Sequence, residues 1–358
     1  MWRLTGTERR SVPETSARDV IGIDPTAVTR WFGDLGIEFA GRLGFHRIGL
    51  GQSNLTYLVR DDDGRRWVLR RPPLGHLLAS AHDVAREARI MSALAGTCVP
   101  APRILGVAEN SAISDVPLVL MNFIDGQVVD TMEIAESLPQ RRRREIAESL
   151  PRALAQIHAV DLEQTGLSDL ASHKPYARRQ LARWSGQWEK SKTRELPELD
   201  DLTRRLMAAV PQQTELALVH GDFHLRNVIV AHTSGEVVGV LDWELSTLGD
   251  PLADMGSMLA YWPEPGEDTG GDFPVSTLAG FPNRDELARM YLDETGRDPQ
   301  ALKFWHALGL WKVAIIAEGV LRRAMDTPAN KAAAGTPTVE RIDALVHKAI
   351  AIADAAGI

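Results

Sequence analysis

The stretch from Leu218 to Glu244, LVHGDFHLRNVIVAHTSGEVVGVLDWE, decides how the rest of this chain is read. Three short apolar runs, Leu216 to Val219, Val228 to Val230 and Val237 to Leu241, are rich in β-branched residues and bounded by polar residues or glycine. That pattern predicts short strands, with the chemistry-bearing residues at their ends. Asp222 follows the first run in a His-Gly-Asp turn, Asn227 stands on the approach to the second, and Asp242 closes the third. Moving a phosphoryl group asks little covalent work of a protein. It needs one carboxylate beside the attacking hydroxyl and a few oxygen ligands for a magnesium ion on the nucleotide phosphates. Asp222 suits the first task, accepting a hydrogen bond from the hydroxyl; Asn227 and Asp242 suit the second. The same residues admit another chemistry, in which His220, Asp222 and His224 form an H-x-D-x-H zinc cluster of a hydrolase. That arrangement leaves Asn227 and Asp242 idle.

HGDFHLRN stands where protein kinases have H-R-D-x-x-x-x-N, and LDWE stands where they have D-F-G. On these two motifs the chain resembles the aminoglycoside phosphotransferase and choline kinase-like branch of the protein-kinase fold, over roughly residues 40 to 325. The resemblance implies a two-lobed α+β fold, with a small antiparallel-sheet N-lobe and a mainly helical C-lobe. It assigns 21–123 to the N-lobe and 124–358 to the C-lobe with its catalytic loop; residues 1–20, polar and without periodicity, are expected to be a flexible leader. The activity implied is transfer of the γ-phosphoryl group of ATP to a hydroxyl of a small molecule, with Mg²⁺ as cofactor and GTP as an open alternative.

In the N-lobe, Asp24-Pro25 reads as a helix start, with Asp as cap and Pro at the first helical position. Gly44 to Val59, GFHRIGLGQSNLTYLV, has the form strand, glycine turn, strand. Gly49 and Gly51 let the backbone approach a polyphosphate, and Ser53 and Asn54 add side-chain donors. Asn54 occupies the place of the third glycine of the kinase pattern. The strand Arg66 to Arg70 stands where kinases have V-A-I-K, with Arg70 at the lysine position and Arg71 on the opposite, solvated face. A helix from about His82 to Ala95 follows, with Glu87 on its flank. By the resemblance, Glu87 pairs with Arg70 and holds it over the phosphates. By the resemblance, Met121 to Gly126 is the hinge, where Asn122, Phe123 and Ile124 offer backbone and apolar walls to an adenine ring; by its residues alone it is a strand end with a glycine turn.

From Thr131 the pattern turns helical. Pro139 to Val160 carries an apolar stripe, with Pro151 inside it and a basic run, Arg141 to Arg144, read as a solvated face. Trp184 and Trp188 lie four apart on the next helix, a stripe that fits core and also fits a substrate contact. Glu244 either braces the metal loop or meets the substrate. Asp250 and Asp254 read as structural acids that cap a helix and anchor the catalytic turn. Trp262 to Thr277, rich in Pro, Gly and acidic residues, reads as a mobile loop or lid.

The chain has 358 residues, enough for two lobes, and its 44 % hydrophobic and 25 % charged content is that of a globular protein. A formal charge of −8 argues against a nucleic-acid partner. A single cysteine, Cys98, forms no internal disulfide, and with no signal peptide or long uncharged apolar span this favours the cytoplasm and no membrane partner. No A-P-E end marks an activation segment, which disfavours a protein substrate. A V-L-R strand followed by RRPPLG is similar to phosphotransferase domains fused to acyl-CoA dehydrogenases, so a hydroxyacyl acceptor competes with an aminoglycoside. A nucleotide-binding regulator without turnover is the alternative outside the enzymes, supported by Arg70 and Asn54.

Overall fold

A computed structural model describes residues 20–48, 54–74, 83–109, 112–171, 174–267, 274–326 and 336–358. The expected leader, except its last residue, and Gly49, Gly51 and Ser53 of the phosphate turn lie outside these residues. In chain order the elements are α1 (Pro25–Asp34), β1 (Gly44–Ile48), β2 (Leu55–Arg60), β3 (Arg66–Arg71), α2 (Val84–Ala93), β4 (Ile104–Ala108) and β5 (Leu118–Asn122). There follow α3 (Met132–Ser137), α4 (Gln140–His158), α5 (Tyr176–Ser191), α6 (Pro197–Ala208), β6 (Ala217–Val219), β7 (Val228–Val230), β8 (Val237–Val240) and β9 (Thr247–Gly249). The chain ends in α7 (Leu252–Ala260), α8 (Arg284–Thr295), α9 (Pro299–Asp326) and α10 (Val339–Ala355). These elements form two compact units, the first comprising Met1–Asp130, Arg226–Thr233 and Val237–Glu244, the second the remainder. The architecture is α+β and matches the protein-kinase-like fold.

The first unit is built on a five-stranded sheet of order β1-β2-β3-β5-β4, antiparallel throughout. In β2, Leu55, Tyr57 and Val59 are buried while Thr56, Leu58 and Arg60 are only partly so, the alternation expected of a half-buried strand. On the covered face sits α1, capped by Asp24, whose Oδ1 accepts from the N–H groups of Thr26 at 2.8 Å and Ala27 at 3.2 Å. Its Trp31 and Phe32 join Phe45, Tyr57, Trp67 and Leu69 in one core, with the Phe32 and Trp67 rings edge to face at 5.3 Å. Burying each such side chain stabilises the fold by about 1.5–3 kcal/mol. Helix α1 comes so close to the sheet that a Cβ on Gly106 would lie 2.6 Å from Leu35 Cδ1, and the β4–β5 register shifts between Ile104 and Gly106. The β7–β8 hairpin also belongs to this unit.

One expectation fails here. Arg71 is buried, because the turn before α1 covers its face of the sheet. Its Nη1 donates to the Gly22 carbonyl and its Nε to the Pro72 carbonyl at 3.1 Å, so the strand's far face is paired and not solvated.

The second unit is helical apart from the short β6–β9 pair. At its centre α9 crosses α7 at two glycines. A Cβ on Gly256 would lie 2.3 Å from the Trp305 carbonyl oxygen, and one on Gly309 would lie 2.7 Å from that of Gly256. Among the described residues α9 is the one helix long and apolar enough to cross a membrane, yet 78 % of its apolar window is buried inside the fold, as in a core helix. Pro151 is accommodated inside α4 without dividing it. The basic run at the start of α4 is a structural staple more than a solvated face. Arg143 donates to the carbonyls of Ala135, Glu136 and Ala279 at 2.8–3.0 Å, and Arg144 pairs with Glu148 at 2.6 Å and Glu286 at 2.7 Å. The loop read as a lid is pinned on the side that is described. Arg284 holds Glu264 at 2.9 Å and also Glu267, and Lys348 reaches Glu267 at 2.5 Å.

Candidate active site

In the first unit, Arg70 leaves β3 and is almost wholly buried. Its Nη2 donates to Asp242 Oδ1 at 2.9 Å and stands 3.4 Å from Glu87 Oε2. Burial opposes the guanidinium charge, but Glu87 and then Asp242 outweigh it and raise the Arg70 pKa. Burial drives the Glu87 carboxyl the other way, up to about 7, with the negative charges of Asp242 and Glu244 adding to it and Arg70 opposing. Glu87 therefore sits inside the unit with its cation and is not a solvated helix residue. Asn54 gives its Nδ2 to Glu87 Oε1 at 3.0 Å, so this side chain faces the ion pair.

The β7–β8 hairpin brings two oxygen donors to one end. Leu241 N donates to the carbonyl of Asn227 at 2.8 Å, which makes Asn227 a neighbour of the residue before Asp242. Asp242 has φ of 66°, the one non-glycine in the left-handed region among the described residues. Aspartate tolerates that conformation better than most residues, and strain of this kind gathers at functional sites. The turn is locked below by Trp243, fully buried, whose Nε1 donates to the Val240 carbonyl at 2.9 Å. Glu244 lies within the electrostatic reach of Arg70 and Glu87.

At the expected hinge the main chain of Asn122 is already engaged. Its N–H donates to the Arg103 carbonyl at 3.0 Å, and Arg103 N returns a bond to Asn122 Oδ1 at 2.6 Å. Phe123 lies under the Arg66 guanidinium, 4.0 Å from ring centre to carbon. Ile124 packs with Val128, Ile229 and Leu241 in a small apolar cluster.

In the second unit, β6 runs into the His-Gly-Asp turn. Gly221 has φ of 84°, and a Cβ there would lie 2.6 Å from the Leu245 carbonyl oxygen, so glycine is required twice over. Asp254 of α7 holds the turn from below: Oδ2 accepts from His220 N at 2.6 Å and Oδ1 from Gly221 N at 2.8 Å. Behind it, His158 Nε2 lies 3.2 Å from Asp254 Oδ2, and His158 Nδ1 lies 2.7 Å from the Tyr291 hydroxyl. Asp254 is thus structural, as the sequence suggested, and His158 backs it. Asp222 emerges beside His224, Nε2 to Oδ2 at 3.4 Å. Burial acts to raise the Asp222 carboxyl, yet His224, then Lys312 and His220, outweigh it and hold it well below its ordinary value.

The zinc cluster does not form. His220 Nδ1 accepts from Asp222 N at 3.3 Å and its ring packs edge-on against Phe223, so it is turned into its own loop. Among the described residues no group of three or more His, Cys, Asp or Glu side chains converges to hold a metal. The two tryptophans of α5 part company. Trp188 is buried and donates to Asp200 Oδ1 at 3.1 Å, because α6 covers that end of α5. Trp184 is only partly covered and lines a small cavity of about 20 Å³ together with Gln180, Ser257, Trp305 and Lys312. Lys312, from α9, is the residue that sequence reasoning missed. The available signal was a lysine set between the apolar runs Ala307 to Trp311 and Val313 to Ala317.

This is the architecture of the protein-kinase-like phosphotransferases that act on small molecules. The profile of the family described as "Phosphotransferase enzyme family" matches residues 44–305, well over half of the chain, and the chain belongs to that family. It is 36 % identical over 335 residues to acyl-CoA dehydrogenase family member 10 of Mus musculus, covering 90 % of this chain and 31 % of the relative, so it spans about a third of that protein's length. Among solved structures, a protein of Ralstonia eutropha provisionally designated an aminoglycoside phosphotransferase superposes with a TM-score of 0.74 at 29 % identity, over 93 % of this chain and 97 % of that one. A thermostable mutant of aminoglycoside phosphotransferase APH(4)-Ia, in ternary complex with AMP-PNP and hygromycin B, shares the fold with a TM-score of 0.58 at 16 % identity, over 92 % of this chain and 98 % of that one. Family and fold together make this an ATP-dependent small-molecule phosphotransferase, an enzyme and not a silent nucleotide-binding regulator.

Proposed function

We propose that the chain transfers the γ-phosphoryl group of ATP to a hydroxyl of a hydroxyacyl compound. The observation that carries the nucleotide half of this reading is the chain of contacts Glu87–Arg70–Asp242, a buried cation held between two acids. In this reading Arg70 presents forked N–H donors to the α- and β-phosphates, and Glu87 fixes its direction. Asn227 and Asp242, hard oxygen donors on one hairpin, would hold Mg²⁺. So small a set suits an ion that keeps several waters and takes the rest of its ligands from phosphate. An ion held there would supply positive charge against that of the phosphates. Phe123 and Ile124, with the apolar cluster beside them, serve the adenine ring better than Asn122, whose main chain is occupied. By the sequence reading alone, Gly49, Gly51 and Ser53, which lie outside the described residues, would join the phosphate site.

Asp222 orients the acceptor. Held ionised by its neighbours, it accepts a hydrogen bond from the substrate hydroxyl and aims the oxygen lone pair at the γ-phosphorus. As the new P–O bond forms, the bond from the γ-phosphorus to the bridging oxygen breaks, ADP leaves, and the hydroxyl proton passes to the same carboxylate. A hydroxyacyl acceptor is supported by the likeness to the acyl-CoA dehydrogenase relative. An aminoglycoside acceptor is the second reading, and the Ralstonia eutropha structure supports it. The test is Mg²⁺-dependent ATP consumption across hydroxyacyl thioesters, free hydroxy acids, sugars and aminoglycosides. Turnover confined to the aminoglycosides would refute the acceptor assigned here; ATP consumption with none of them would refute the wider reading.

A further inference from the structure

The crossing of α9 over α7 at Gly256 and Gly309 does more than pack two helices. It carries Lys312, one turn beyond Gly309, beneath the His-Gly-Asp turn. Lys312 Nζ donates to the Gly221 carbonyl at 3.0 Å and stands 5.5 Å from the centre of the Trp184 ring. Its charged surroundings are Asp222, Asp254 and Arg183. Around it α9 is apolar: Trp311 and Val313 are buried on either side. An ammonium in such a place costs free energy that an apolar side chain of equal length would not.

We propose that Lys312 is a positioning residue for phosphoryl transfer: it holds the His-Gly-Asp turn through the Gly221 carbonyl and supplies the fixed positive charge opposite Asp222. The proposal rests on the reading of Asp222 as the carboxylate that orients the acceptor hydroxyl. Asp222 also faces the His224 ring, Nε2 to Oδ2 at 3.4 Å. Lys312 adds a hydrogen bond to the Gly221 carbonyl, one residue before Asp222, so its charge and its hold on the turn come from one atom. Burial lowers the Lys312 pKa, and the nearby Asp222 and Asp254 oppose the shift. The hydrogen bond to Gly221 fixes where the turn stands, and the charge keeps the acid that follows it an acceptor.

The test compares Lys312→Met, Lys312→Gln and Lys312→Arg with the wild type in the full chain, each first shown to be folded by its thermal transition. In protein labelled with ¹³C at aspartate carboxyls, the Asp222 resonance is the one missing from Asp222→Asn. Its titration midpoint is expected to rise by about one pH unit or more when the cation is removed, and to return toward wild type with arginine. Under turnover, kcat is expected to fall by about 10- to 100-fold in Lys312→Met and Lys312→Gln, with the acid limb of the kcat profile moved to higher pH and KM for ATP changed by less than about threefold. An unmoved carboxyl midpoint, or a fall in kcat with the acid limb in place, overturns the proposal. The carboxyl titration needs no substrate. A wild type that turns over nothing therefore counts against the functional reading and leaves the Lys312 result separately decided.

Discussion

Arg70 and Asp242 are 172 residues apart in sequence, yet Arg70 Nη2 lies 2.9 Å from Asp242 Oδ1. The same nitrogen faces Glu87 at 3.4 Å, so a single guanidinium ties β3, α2 and the end of the β7–β8 hairpin together. Loss of that cation is expected to raise KM for ATP by about tenfold or more in Arg70→Met, with a smaller rise in Arg70→Lys, whose point charge cannot fork. Glu87, already pushed up to about 7, escapes the loss by taking a proton, which its upward shift makes easy. Arg70→Met is therefore expected to cost about 1–3 kcal/mol near pH 6 and more at pH 9, where the folded carboxyl must ionise unpaired. Urea titrations at the two pH values check the sign; equal losses at both would remove Glu87 from the account.

At Asp242, chemistry and backbone strain are separable. Asparagine also tolerates a φ of 66°, so Asp242→Asn is expected to fold with nearly wild-type stability while losing Mg²⁺-dependent turnover by 100-fold or more, on the order of removing one charge-stabilising group. Asp242→Ala places an alanine in the left-handed region and is expected to lose about 1–2 kcal/mol besides. Thermal transitions and Mg²⁺ titrations of activity, run on both variants, decide the matter. Retention of Mg²⁺ response in Asp242→Asn would remove this residue from the metal set.

Asp222→Asn keeps the size of the side chain and removes the charge. Turnover is expected to fall by about 10²- to 10⁴-fold, with the Kd for ATP, measured by calorimetry, changed by less than about threefold. The carboxylate lies well below its ordinary pKa, so wild-type kcat is expected to stay flat from pH 8 down to pH 5 as far as this group is concerned. A kcat that titrates with a midpoint near 4–5 would mean the cations around Asp222 do not act as described.

The third acid, Asp254, and its partner His158 set the acid stability of the helical unit. Burial, the largest influence on His158, lowers its pKa against the opposing pull of Asp254. The unfolded ring takes its proton near pH 6.5 and the folded ring only at lower pH, so the unfolded state binds more protons in between and stability falls as pH drops below about 6.5. Burial acts to raise the Asp254 carboxyl, but its hydrogen bonds to His158 and the loop lower it overall, so its contribution is complete above the unfolded value near 4 and fades as pH falls below that. Asp254→Ala removes the acceptor of two buried N–H groups and is expected to cost about 2–5 kcal/mol, while abolishing turnover through the displaced turn. Denaturant titrations from pH 8 to pH 2 report both effects; a wild type whose stability is flat across that span would exclude the proposed linkage.

What could be read along the chain is what depends on near neighbours in it. The Asp24-Pro25 helix start, the alternation of Leu55, Tyr57 and Val59, and the strand, turn and acid order of residues 218–244 are local patterns, and the strands and helices follow them to within a few residues. Asp254 was legible as a structural acid for the same reason, since it opens a helix soon after the hairpin.

Burial and partnership were decided by helices arriving from elsewhere. Arg71 is covered because the turn carrying Gly22 lies on it, Trp188 parts from Trp184 because α6 reaches only one end of α5, and Lys312 meets Gly221 because two glycines let α9 approach α7. Sequence periodicity says which face of an element is apolar. Only the packed chain says which distant carbonyl or carboxylate that face will meet, because such contacts depend on the positions of whole helices and not on the order of residues within one.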